Sequence, residues 1–185
     1  DRIHPLLGFE TIRDLLIASL DARPHVGKQE AYNLLRLSKN SKQDFRSQHG
    51  AVVMLFKAEP KVWRPIAHEI IKTPSIDTKL HALTASQLAR DPTQTDAALF
   101  MSLLDDENQY LVRSAIIGLG KLAHAPALKH FEKLSQSATE EIGRTLVSAL
   151  GLMNSAEATK ILETWSQTHP QATIQTLAAR QLIRS

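Results

Sequence analysis

The stretch Tyr110-Leu-Val-Arg-Ser-Ala-Ile-Ile-Gly-Leu-Gly-Lys-Leu122 returns as Glu141-Ile-Gly-Arg-Thr-Leu-Val-Ser-Ala-Leu-Gly-Leu-Met153, with Arg113 over Arg144 and Gly120 over Gly151. Both pairs lie 31 residues apart (144 − 113 and 151 − 120). Stepping towards the N-terminus reaches Lys79, Arg46 and Arg13 at intervals of 34, 33 and 33, and one step forward from Arg144 reaches Gln175 after 31. A period of this length marks an array of supersecondary units, each too small to bury its apolar face alone. Leu111, Val112, Ala115, Ile116 and Leu119 recur at helical spacing, as do Ile142, Leu146, Ala149, Leu150 and Met153. Shorter helical stripes lie between: Val62, Ile66 and Ile70; Phe100, Leu103 and Leu104; Leu128, Phe131 and Leu134; Ile161, Leu162 and Trp165. Each unit therefore reads as a helical hairpin, and no strand period competes.

Start signals fall at a constant phase. Asp91-Pro92 reads as an N-cap followed by a first-turn proline, whose missing N–H is not needed there. Ser41 to Asp44, Asp106 to Gln109 and Ser137 to Glu140 have capping-box spacing, while Pro60, Pro126 and Pro170 suit first turns. The resulting helices lie near 9–20, 25–39, 42–57, 60–72, 76–90, 94–104, 108–123, 125–135, 138–153, 155–167 and 170–184. Connections are short and polar, and residues 1–185 read as a single repeat domain with no internal boundary. The first residue is Asp1, so a longer chain is expected.

Over residues 106–123 and 137–153, the pattern of Asp, then Val-Arg or Ile-Gly-Arg, a small residue and Leu-Gly resembles HEAT-like repeats of the phycobilisome-lyase type. Ala125-Pro-Ala-Leu128, opening the next helix, fits the same resemblance. It implies an all-α, right-handed α-solenoid of about five HEAT-like helical hairpins, preceded by one orphan N-terminal helix. The arginine-bearing helices would then be inner and concave, and the Pro-Ala-Leu helix outer. Solenoids of this kind share one stacked core and bind on the concave face.

Composition narrows the function. The chain has no cysteine, which excludes disulfides, thiolate metal sites and a Cys nucleophile. Its 22 Lys+Arg against 19 Asp+Glu leave a net charge of +3. Residues 23–72 hold ten basic side chains (Arg23, Lys28, Arg36, Lys39, Lys42, Arg46, Lys57, Lys61, Arg64, Lys72) against four acidic ones, a local balance of +6, whereas residues 93–185 hold eight against nine. Apolar runs are far shorter than the ~20 residues that span a bilayer, so no membrane insertion is expected. Cytoplasm and periplasm are both compatible.

No enzymatic constellation emerges. His68-Glu69 is one His-Glu pair where a di-iron site of the HEAT-like hydroxylases needs several, and the other histidines lack ligand spacing. Trp63 and Trp165 are in phase with apolar neighbours and read as core, not as base-stacking residues of a glycosylase groove. Gly118, Gly120, Gly143 and Gly151 lie inside helical patterns and read as close-packing positions, not a phosphate loop. No catalytic, cofactor or metal site is expected, nor a small-molecule ligand. The expected function is a non-catalytic scaffold whose inner face binds a protein through Arg46, Lys79, Arg90, Tyr110, Arg113, Lys121, His124 and Arg144. The alternative is nucleic-acid or polyanion binding through Arg36, Lys39, Lys42, Lys57, Lys61 and Arg64. The repeated basic residues admit a structural role as well, with Asp105, Asp106 or Glu140 as acceptors. On that footing loss of Arg113 or Arg144 should destabilise the fold, and loss of Arg46 should weaken binding.

Overall fold

A buried stripe repeats every 31 residues across residues 80–150. Leu80, Thr84, Ala85, Leu88 and Ala89 are buried, and so are Leu111, Ala115, Ile116, Leu119 and Gly120, and then Ile142, Leu146, Val147 and Leu150. The computed structural model describes residues 49–184 apart from 51, 54, 58 and 75. The helices expected at 9–20 and 25–39, and most of that at 42–57, lie outside the described residues.

The described residues are helical, with no strand among them. Chain order gives α1 (Pro60–Lys72), α2 (Thr78–Arg90), α3 (Ala97–Leu103), α4 (Gln109–Lys121), α5 (Leu128–Ser135), α6 (Glu140–Met153), α7 (Ala156–Thr168) and α8 (Ala172–Arg184). Short 3-10 turns, Gln94–Asp96 and Ala125–Ala127, lead into α3 and α5. By their contacts the described residues divide into two units between Thr84 and Ala85.

In the first unit, Pro60 stands in the first turn of α1, as its missing N–H allows. Ile66, Ala67 and Ile70 form the buried stripe of that helix. Trp63 is buried and meets Phe56 edge to face at 5.5 Å, while the Arg64 guanidinium lies 4.9 Å from the Trp63 ring centre. Such a stack covers both the indole face and the arginine stem. The Lys79 N–H bonds Asp77 Oδ1 at 2.8 Å, which caps the start of α2.

The second unit is two-layered. α4, α6 and α8 pack side by side, and α3, α5 and α7 cover them, α3 on α4, α5 on α6 and α7 on both α8 and α6. The helices of Arg113 and Arg144 are thus stacked neighbours, as the 31-residue echo requires. Phe100, Ile116, Leu119, Phe131, Leu146, Leu150 and Leu162 are fully buried between the layers. Each such side chain contributes roughly 1.5–3 kcal/mol relative to exposure. Trp165 is buried here too, so both tryptophans are core residues.

Glycines set the helix spacing. A Cβ on Gly120 would lie 2.8 Å from the Ala149 backbone, and one on Gly143 would lie 2.6 Å from Ile174 Cδ1. Gly118 and Gly151 are likewise filled by the Phe100 ring and the Gln181 side chain.

Three caps differ from the sequence reading. Asn108 Oδ1 accepts from the Tyr110 N–H at 3.0 Å, and Thr139 Oγ1 from the Ile142 N–H, in place of Asp106 and Ser137. At α3, Thr93 precedes the first turn and its N–H bonds Asp96 Oδ2 at 2.8 Å, in place of Asp91-Pro92. Pro170 stands ahead of α8, not in its first turn, since Ile174 and Gln175 both donate to the Gln171 carbonyl. The functioning caps Asp77, Asn108 and Thr139 are themselves 31 residues apart. They place Lys79 at the position of Tyr110, and Ala82 at that of Arg113, so the step of 34 from Lys79 to Arg113 is not the structural one.

Candidate functional site

The exposed edge of α4, α6 and α8 in the second unit carries long side chains at repeat spacing. Tyr110 is 68% exposed, Leu152 52% and Ile183 86%. Lys121, Leu152 and Ile183 follow one another at 31 residues near the C-terminal ends of the three helices, and Tyr110, Glu141 and Ala172 do so near the N-terminal ends.

Arg113 donates to Glu141 Oε1, across from α4 to α6. Arg144 instead turns to Glu140, one turn back on its own helix, with Nε and Nη2 at 3.0 and 2.5 Å from Oε1. Neither arginine bonds Asp105 or Asp106, and both acceptors are exposed carboxylates. The destabilisation expected on removing these arginines is therefore small. Exposed pairs contribute about 0–1 kcal/mol.

Lys121 Nζ donates to the Arg90 carbonyl at 2.7 Å, joining positions 31 residues apart. Like charges sit together here because the bond uses the Arg90 main chain, a free acceptor at the end of α2. His124, half-buried, follows a left-handed Ala123 (φ 48°). Its N–H reaches the Leu119 carbonyl at 3.1 Å while the Ala123 N–H reaches Gly120, a Schellman ending with alanine where glycine is usual. The second unit thus brings Tyr110, Arg113, Lys121 and Arg144 to helices of one layer, with Arg90 and His124 at helix ends.

Lys79 is exposed in the first unit, and Arg46 lies outside the described residues. Of the anion-surface residues, Arg36, Lys39 and Lys42 also lie outside. Lys57 is exposed, Lys61 pairs with Glu59 at 2.7 Å, and Arg64 is drawn onto Trp63. Two of the three described members are therefore already engaged within the first unit.

Sequence reading passed over Thr173, Thr176 and Arg180. With Arg144, Ala172 and Leu177 they line an open cleft of about 390 Å³ between α6 and α8. The clue was available at the 31-residue step. Arg180 falls where the preceding repeats have the buried Ala149 and Gly118, and a charge at such a position must reach solvent.

Among the described residues no group of three or more His, Asp or Glu is placed to hold a metal ion, and no helix is long and apolar enough to cross a membrane. Residues 97–183 match the family model of HEAT repeats, which supports a HEAT-like repeat family and, with the all-helical architecture, an α-solenoid. No curated protein matches the chain.

Proposed function

We propose that this HEAT-like repeat segment is a non-catalytic scaffold that binds a protein partner on the exposed face of α4, α6 and α8. One observation carries the reading: Tyr110, at 68% exposure, and Leu152 project from α4 and α6, helices whose other sides are buried, and Ile183 continues the Leu152 column on the more exposed α8. Large side chains held out by packed helices make a pre-organised surface, and they form contacts at little entropic cost. Tyrosine and arginine, both present here, supply most contact energy at interfaces. HEAT repeats are commonly protein-interaction scaffolds.

The finer reading, of phycobilisome-lyase-type repeats forming about five hairpins of a right-handed superhelix, rests on the Val-Arg and Leu-Gly signature and on the sequence period. Polyanion binding through residues 23–72 is the competing reading.

Site-specific photo-crosslinking tests the proposal. A photoreactive phenylalanine at Tyr110, Lys121 or Ser148 should capture the same protein, whereas one at Lys129 or Glu163 on the outer layer should not. Capture independent of position, or capture of nucleic acid alone, would refute the scaffold reading.

A further inference from the structure

Arg113 and Arg144 hold the same place in successive repeats, but they face different partners. The residue 28 positions beyond Arg113 is Glu141, which takes its guanidinium across the helix boundary. The residue 28 positions beyond Arg144 is Ala172, which has no carboxylate to offer. Arg144 falls back on Glu140 of its own helix, in a pair whose side chains are 52% and 54% exposed. It also lines the cleft of about 390 Å³ that Arg180 enters from α8.

We infer that this cleft receives a carboxylate of the protein partner, an Asp or Glu side chain that stands to Arg144 and Arg180 as Glu141 stands to Arg113. The inference rests on the scaffold reading and assigns it one contact. Two guanidiniums on one cleft match a carboxylate, which arginine can hold through two parallel N–H bonds. Displacing Glu140 is cheap, because an exposed pair of this kind contributes about 0–1 kcal/mol. Leu177 offers an apolar wall to the methylenes of the incoming side chain, while the Thr176 hydroxyl is already committed to the Ala172 carbonyl at 3.0 Å.

A single acidic side chain suits the surroundings better than a phosphate chain does. Residues 93–185 carry eight basic and nine acidic side chains, and a separate cleft between the starts of α4 and α6 has Asp105, Asp106 and Glu107 in its wall. An extended polyanion would meet that negative charge, whereas one carboxylate need not.

The test is an NMR titration of the full chain with acetyl-Ala-Glu-Glu-Ala-amide and with its Gln-Gln counterpart. The Glu peptide should shift the Arg144 and Arg180 side-chain Nε–H signals and the Thr173 and Thr176 amides saturably, and the Gln peptide should not. Affinity should fall about fivefold or more in Arg144→Gln. It should fall likewise in Ala172→Glu, which supplies the missing carboxylate in cis, and rise in Glu140→Gln. Ala172→Glu adds an acidic residue to a helix first turn, so the fold should tolerate it. Equal response to both peptides, shifts confined to Lys57 and Lys61, or an unaltered affinity in Ala172→Glu would overturn the inference. So would stronger cleft shifts with a single-stranded hexanucleotide than with the Glu peptide. If crosslinking at Tyr110 persists while the peptide fails to bind, this contact alone is wrong. If no position on that face crosslinks, the scaffold reading itself fails.

Discussion

Arg113 on α4 reaches Glu141 on α6, so the arginine common to the two best-matched repeats ties one repeat to the next only at its first occurrence. At the second, Arg144 is held within its own helix by Glu140. With Arg113 35% exposed and Glu141 60%, water screens the pair. A double-mutant cycle with Arg113→Ala and Glu141→Ala should give a coupling of about 0.2–1 kcal/mol that shrinks at high salt. A salt-insensitive coupling above about 2 kcal/mol would mean that the pair is desolvated.

The contact of Gly120 with Ala149 predicts a larger effect. Gly→Ala in a helix normally stabilises by roughly 1 kcal/mol, but here the new methyl would meet backbone that cannot swing aside. Gly120→Ala should lower stability by about 1–3 kcal/mol in urea unfolding. Gly50→Ala, where nothing lies within 4 Å, should be neutral or stabilising. Equal behaviour of the two variants would contradict the close packing of α4 on α6.

Ala123 offers the opposite experiment. Its φ of 48° puts an alanine Cβ in the left-handed region at the end of α4. Strain there is of order 1–2 kcal/mol for a non-glycine residue. Ala123→Gly relieves it but gains chain entropy when unfolded, so a net stabilisation of about 0.5–1 kcal/mol is expected. The melting temperature should rise by roughly 2–4 °C per kcal/mol at this chain size; a fall would show that the left-handed turn is not populated in solution.

The caps give a paired comparison two residues apart. Thr139→Ala should cost about 1 kcal/mol because it frees the Ile142 N–H, and Ser137→Ala should be within about 0.5 kcal/mol of neutral. Reversed magnitudes would restore the sequence-based capping box.

Those caps show where the sequence was legible. Apolar periodicity placed every described helix within about three residues, α3 and α5 starting three late because 3-10 turns precede them, and the stripes Leu111 to Leu119 and Ile142 to Leu150 are fixed by packing. Helix starts shifted because each loop offers two competent caps, Asp106 and Asn108, or Ser137 and Thr139, and only the docking of the helix chooses between them. The repeat register slipped at Lys79 because a basic residue attracted more weight than the buried column of Leu80, Thr84 and Leu88. Arg144 was legible as a candidate contact from its recurrence. Its cleft was legible only as a departure from the 31-residue step, where Ala172 and Arg180 replace Glu141 and Ala149.

Of α8, only Ile174 and Ala178 are buried, whereas α6 buries eight residues. Because each helix in the layer leans only on its neighbours, the second unit should come apart in sequence under load, starting at its least covered helix. Pulled from its C-terminal end in an optical trap, it should lengthen in steps of roughly 100 Å, the contour of one 31-residue repeat at about 3.3–3.6 Å per residue. A partner seated across α6 and α8 would then act as a mechanical clasp, raising the force of the first step and leaving the later ones unchanged.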